Sequence, residues 1–323
     1  MSHPHSFNSD SCATECLRTA ETCFENVPYF LYSPRFNASL PSFGAMQMAH
    51  IDEAPTTLAN DRVALCLHGE PSWSFLYRKM IEPLRAAGYR VVAPDLFGFG
   101  RSDKPIDPGW YTFNTHRRSL IEFIEQLDLN NITLIVQDWG GLLGLTLPHE
   151  MPARFKQLIV MNTTLGTGNV ALSDGFKAWR SYMAAQTNFD CEKLFARSCP
   201  HLSSAELRAY SAPFPSNEYL VGVQRFPALV PEFEDSEGAA ISRTANTFWS
   251  EQWSGQSFMA IGAADPVLGL PVMHALRKKI RGCPEPLVIE DGGHFLQEWE
   301  TGNGKLGESI IATALASFAS CRT

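Results

Sequence analysis

The stretch ITLIVQDWGGLLGLTLP, residues 132–148, runs a block of β-favouring residues straight into Gln137, Asp138, Trp139 and a glycine pair, then into a helix-like apolar segment. A continuously apolar block of this length reads as a strand buried on both faces. The glycines permit a sharp turn from that strand into a helix, and such a turn exposes its central side chain, here Asp138, above the sheet. An aspartate at this place could equally be a helix N-cap, so the choice between a cap and a chemical group rests on the rest of the chain.

Working outward, similar strand candidates occur as VALCL at 63–67, RVVAP at 90–94, QLIVM at 157–161, SFMAIG at 257–262 and PLVIE at 286–290. Between 113 and 128, Leu120, Phe123, Ile124 and Leu127 recur at helical spacing, with Thr112 placed as an N-cap. Strands alternating with helices predict an α/β fold, a mostly parallel twisted sheet with helices on both faces. The rhythm fails over 165–250, which is rich in aromatics, prolines and short helical stretches. That segment reads as a helical cap inserted between two strands. The expected organisation is a loose tail over 1–17, a core built from 18–164 and 251–323, and a cap over 165–250.

The chain has 323 residues, 45% hydrophobic and 19% charged, with a net charge of −8. These are values of a globular protein. No basic stripe is present, which argues against a nucleic-acid partner. No apolar run is long enough for a membrane span, and the N-terminus does not read as a secretory signal. The 8 cysteines are scattered; Cys66 falls in an apolar strand. Cys12, Cys16 and Cys23 lie near His3 and His5 at spacings that fit no zinc pattern, so no metal site is expected. Reduced, scattered thiols suit a cytoplasmic protein, and a monomer is the expected assembly.

Two further motifs support a chemical role for Asp138. In LCLHGEPSWSFLYR, 65–78, a strand ends at His68-Gly69. This loop brings a backbone N–H beside the turn, and the expected pair of oxyanion donors is the N–H of Glu70 and that of Trp139. His68 reads as a loop-shaping residue. In IEDGGHFLQEW, 289–299, His294 follows a strand and a glycine pair, the setting of a base late in the chain. The supporting acid belongs after a strand between the two. Asp265 in MAIGAADPVLG satisfies this, although Asp-Pro is also ordinary turn chemistry. The rival place, after QLIVM, holds Asn162, which cannot ionise.

With these motifs in place the chain resembles the haloalkane dehalogenases of the α/β-hydrolase fold. It resembles in particular the subfamily whose acid follows the seventh strand and whose second halide-binding Trp lies in the cap. The likeness runs from Arg18 onward and is carried by HGEPSWSFLYRKM, PDLFGFGRSDKP, VQDWGGLLGLTLP, DGFKAWRSYM, YSAPFP, RFP, FMAIGAADPVLG and GGHFLQEW. It implies Asp138 as nucleophile, His294 as base, Asp265 as acid, and Trp139 with Trp179 as halide ligands. It further implies a substrate pocket lined by Leu142, Phe176, Phe226, Pro227 and Leu268. The implied reactants are a short haloalkane and water, the products an alcohol, a halide and a proton, with no cofactor. The chain departs from the family pattern at Val136, where a small residue is usual, and at Leu142, where an aromatic is usual. Two other readings remain open at this point. An epoxide hydrolase would share Asp–His–Asp but need a phenol donor, for which Tyr182, Tyr210 and Tyr219 are candidates. The other is a non-catalytic ligand-binding member of the fold.

Overall fold

A computed structural model describes residues 14–58, 60–186, 188–301 and 304–320. Eight strands form one sheet: β1 (Arg35–Asn37), β2 (Met48–Glu53), β3 (Val63–Leu67), β4 (Arg90–Pro94), β5 (Ile132–Gln137), β6 (Phe155–Met161), β7 (Gln256–Gly262) and β8 (Leu287–Ile289). Their order is β8-β7-β6-β5-β3-β4-β2-β1. Pairing is parallel from β8 through β4 and antiparallel where β2 and β1 extend the edge. All six expected strands are present. The antiparallel pair went unread because MAHIDE, the β2 sequence, carries His50 and Asp52. Asp52 is nonetheless buried, and Arg90 neutralises it with two bonds of 2.8 and 2.9 Å.

Successive residues of the central strands feed two separate cores. Leu65, Leu67, Leu134, Val136, Leu158 and Val160 face one side, while Ala64, Cys66, Ile135 and Ile159 face the other. Strand pleating requires this alternation, and both faces are apolar because helices cover both. The first core takes Leu120, Phe123 and Ile124 of α2 (Phe113–Gln126) and Leu143 of α3 (Trp139–Gly144); the second takes Met80, Ile81 and Leu84 of α1 (Arg78–Ala86). The Thr112 hydroxyl caps α2 by accepting from Thr115 N–H at 3.1 Å.

Between β6 and β7 the chain runs through five helices: α4 (Asp174–Ala185), α5 (Cys191–Ser198), α6 (Ser204–Ser211), α7 (Val221–Leu229) and α8 (Ala239–Thr247). After β7, α9 (Leu270–Arg277) packs on the first core and α10 (Leu306–Ser320) on the second. A buried ion cluster ties the helical insertion to the core. The Glu298 carboxylate accepts from Arg78 and Tyr210 and pairs with Lys79 at 2.9 Å, while Arg78 also meets Glu206 at 2.8 Å. The N-terminal segment adds a second tie, with the Thr19 hydroxyl donating to Pro213 O at 2.7 Å. Of the expected loose tail, residues 1–13 lie outside the described residues. Cys16–Leu17 do not hang free, but pair antiparallel with Lys104–Pro105.

The turn from β5 into α3 is tightly packed. A Cβ on Gly140 would stand 1.9 Å from the Leu67 carbonyl oxygen, so α3 approaches the backbone of β3 directly. The unusual Val136 is accommodated further along, where its Cγ1 lies 2.9 Å from the place a Cβ on Gly144 would take. The two glycines should therefore differ in their tolerance of alanine. Gly140→Ala meets backbone that cannot yield and should cost at least ~3 kcal/mol. Gly144→Ala meets only side-chain ends and should stay within ~1 kcal/mol of the parent. Chemical denaturation of the two variants checks this.

Candidate active site

Asp138 sits at the tip of the turn with φ +51° and ψ −126°, a region rarely adopted by residues other than glycine. Its backbone is held from several directions. Its N–H donates to Asn162 O at 3.0 Å, and its carbonyl accepts from Gly141 N–H at 2.9 Å, Leu142 N–H at 3.0 Å and the Thr163 hydroxyl at 2.6 Å. Strain of this kind persists only where surrounding bonds over-determine it, and it concentrates at functional sites. The carboxylate projects to the far side: Oδ1 accepts from Glu70 N–H at 2.9 Å, and Oδ2 lies 3.5 Å from His294 Nε2.

His294, in the loop after β8, bonds Asp265 Oδ2 through Nδ1 at 2.8 Å. Asp265, in the loop after β7, is a fully engaged acceptor. Its Oδ1 takes the N–H groups of Val267 and Leu268 at 2.8 and 3.1 Å, and its Oδ2 also accepts from Asn162 Nδ2 at 2.9 Å. Asn162 thus holds the acid rather than replacing it, and is itself fixed by Gly262 N–H donating to its Oδ1 at 2.8 Å. Asp138, His294 and Asp265 form one continuous file.

Electrostatics follow from this packing. Burial alone would raise the Asp265 pKa, but His294 and the surrounding donors outweigh it and hold it at about 2. Burial pulls the His294 pKa down, while the charges of Asp265 and Asp138 and their bonds push it up to about 10. Gln137 was not singled out by sequence, yet its Nε2 lies 3.0 Å from His294 Nε2 and donates to His294 O at 3.1 Å. A neutral amide donor there favours an unprotonated Nε2, and two carboxylates favour the imidazolium; the full charges prevail. The only signal for Gln137 was its place at the strand end, directly before Asp138.

A cavity of about 430 Å³ opens above the file, bounded by Asp138, Trp139, Trp179, Glu70 and His294. Leu142, Phe176, Pro227 and Leu268 line it. Phe226 does not: it is 0% exposed and packs behind the Trp139 ring at 4.6 Å between centroids. Neighbouring positions on α7 point different ways, so Pro227 takes the wall and Phe226 supports the indole. The buried indoles of Trp73, Trp249 and Trp253 spend their N–H groups on Ala209 O, Leu145 O and Ser257 Oγ, whereas the Trp299 N–H, away from the cavity lining, is buried without a partner. The Trp139 N–H has no acceptor among the described residues. His68 has the structural place expected of it, with Leu96 N–H donating to its Nε2 at 3.0 Å and its Nδ1 bonded to Gly69 O at 2.9 Å. Of the thiols and imidazoles near the N-terminus, His3, His5 and Cys12 lie outside the described residues, and Cys16 and Cys23 are free. No cluster of three or more metal-ligating side chains occurs among the described residues.

The family model for the alpha/beta hydrolase fold matches residues 63–301, which places the chain in that class of enzymes. Relatives narrow the class. The chain is 40% identical over 288 residues to a haloalkane dehalogenase of Psychrobacter cryohalolentis, covering 87% of this chain and 93% of that one. It is 35% identical over 290 residues to a haloalkane dehalogenase of Mycolicibacterium paratuberculosis. The tetrameric structure of haloalkane dehalogenase DpaA from Paraglaciecola agarilytica NO2 superposes with a TM-score of 0.89 at 46% identity, covering 94% of this chain and 99% of that one. The chain belongs to the haloalkane dehalogenase family and is a hydrolase of carbon–halogen bonds.

The two perturbed groups give a signed expectation for stability. A raised His294 pKa contributes fully below its unfolded value of 6.5 and is lost as pH rises toward about 10. A depressed Asp265 pKa contributes above 3.8 and is lost as pH falls toward about 2. The melting-temperature difference between the parent and His294→Gln should therefore be greatest between roughly pH 4 and 6.5 and shrink on both sides. Melting curves of the two proteins across pH test this.

Proposed function

We propose that Asp138 attacks the halogen-bearing carbon of a short haloalkane, with the roles of the surrounding groups following from their places. The observation that carries this reading is a strained aspartate in file with His294 and Asp265, facing an unsatisfied indole N–H in a largely apolar cavity. One Asp138 oxygen forms the C–O bond as the C–halogen bond breaks, and the halide leaves with the bonding pair. Trp139 and Trp179 would hold that anion, since an indole N–H donates and cannot compete as an acceptor. The N–H groups of Glu70 and Trp139 would stabilise the oxyanion of the later hydrolysis.

Alkylation removes the Asp138 charge 3.5 Å from His294. One of the two influences raising its pKa is then gone, so the imidazolium releases its Nε2 proton to solvent as the proton product of the reaction, and the neutral Nε2 takes a proton from water. The resulting hydroxide attacks the ester carbon, the alcohol departs, and Asp265 stabilises the imidazolium. An epoxide hydrolase would need a phenol over the nucleophile. Tyr182, Tyr210 and Tyr219 are all absent from the cavity lining, and the Tyr210 hydroxyl is committed to Glu298.

No helix among the described residues is long and apolar enough to cross a membrane. A cytoplasmic setting is supported by the six described cysteines, all free. One chain carries every group of the site, so the expected monomer suffices for the chemistry. DpaA, by contrast, is tetrameric, and light scattering in solution decides between these states for this chain.

Two variants test the mechanism. His294→Gln should accumulate an alkyl ester on the peptide holding Asp138 after incubation with 1-bromobutane, read by intact-protein and peptide mass spectrometry; absence of the adduct with continued turnover would refute both assignments. Trp179→Phe keeps the ring and removes the donor. Bromide affinity, followed by fluorescence quenching, should fall by about tenfold if the lost bond is worth ~1.4 kcal/mol, and single-turnover cleavage should slow with it. The expected preference for bromides of two to four carbons is open to the same assay.

A further inference from the structure

The site contains a carboxyl group that the reaction above leaves unused. Glu70 supplies a backbone N–H to Asp138, but its side chain also borders the cavity and is buried, 6% exposed. Its Oε1 has no hydrogen-bond partner, and among the described residues no Lys or Arg pairs with it. The groups that face it come from four directions: Asp138 from the turn after β5, His294 from the loop after β8, the Trp179 indole from α4, and the Cys191 thiol from the start of α5. The sole cation among these, His294, is already shared by Asp138 and Asp265.

A second carboxylate here would sit unpaired in an apolar pocket beside the Asp138 charge. It would also accept from the Trp179 indole and add negative charge where a halide must form. Burial first, then the neighbouring Asp138, hold the Glu70 carboxyl well above the usual carboxylate range, against the smaller opposing pull of His294 and Trp179. The neutral form avoids each of these costs and turns an acceptor into an O–H donor.

Resting on the halide-binding reading above, we propose that Glu70 acts as a neutral carboxylic acid whose O–H is a third hydrogen-bond donor to the halide, beside the indoles of Trp139 and Trp179. The inference concerns its side chain and is separate from its backbone N–H. The leaving group takes no proton from it: the O–H bond stays intact and the acid only shares its hydrogen with the anion.

The sign of the substitution effect tests this. Bromide is titrated by fluorescence quenching at neutral pH against the parent, Glu70→Gln and Glu70→Leu. A neutral donor predicts that Gln, which retains an N–H, stays within about threefold of the parent, whereas Leu loses about tenfold, the equivalent of one bond of ~1.4 kcal/mol. If Glu70 is instead ionised, both variants remove a repelling charge and bind bromide more tightly than the parent, which overturns the proposal. Infrared difference spectra of the parent minus Glu70→Gln supply a second readout independent of the Leu variant's folding. They should show a protonated-acid carbonyl band that shifts when bromide is added. Carboxylate bands, or an acid band indifferent to bromide, contradict the proposal. If bromide does not bind the parent at all, the halide-site reading fails as well, whereas tighter binding by the variants overturns only the role of Glu70.

Discussion

The packing of α3 against β3 sets the position of everything else in the site. Gly140 lets the helix backbone come within contact of Leu67 O, and the chain can turn there only if Asp138 takes a positive φ. The same geometry stands the carboxylate away from the sheet, with one oxygen over the Glu70 N–H and the other toward His294. The position of the Asp138 carboxylate is therefore a consequence of main-chain packing between two parallel strands and one helix. Such a support is stiff because protein interiors are close-packed and its bonds are backbone bonds.

Charge distribution follows from this constraint. Placing two carboxylates around one imidazole in a buried site raises the imidazole pKa and favours its charged form. In the proposed mechanism, alkylation of Asp138 would remove one of these charges at the point where a base is needed, which would make the histidine's basicity a property of the reaction stage. A third carboxyl, Glu70, enters the same space without a cation of its own. Taken with its burial, this makes its neutral form the one consistent with an anion-releasing pocket.

The helical insertion contributes Trp179, Phe176 and Pro227 to the cavity, so its placement over the sheet matters as much as its sequence. Glu298 with Arg78, Lys79 and Tyr210 fixes one side of it through a buried network. Buried ion pairs of this type give less net stability than their number suggests, but removing one partner costs several kcal/mol because the others are left unpaired. The network thus specifies the position of the insertion more than it adds to stability.

The six apolar strands, the α2 helix and the turn residues around Asp138 were legible in the sequence because each depends on local periodicity or on a residue's own conformational range. Asp265 and His294 were legible for a related reason: each lies just past a strand end in the order Asp, Asp, His. What the sequence did not disclose are the relations made across the sheet. Asn162 reads alone as a missing acid, and only the adjacency of β6 and β7 turns it into a support for Asp265. Phe226 and Pro227 are neighbours in the chain, and the direction of α7 over Trp139 decides that one lines the cavity and the other braces the ring. The environment of Glu70 is decided in the same way, by four segments remote in sequence. Local propensity belongs to a few consecutive residues and can be read from them, whereas burial, hydrogen-bond satisfaction and the pKa of a group depend on which distant segments meet there, and those are fixed only when the chain has packed.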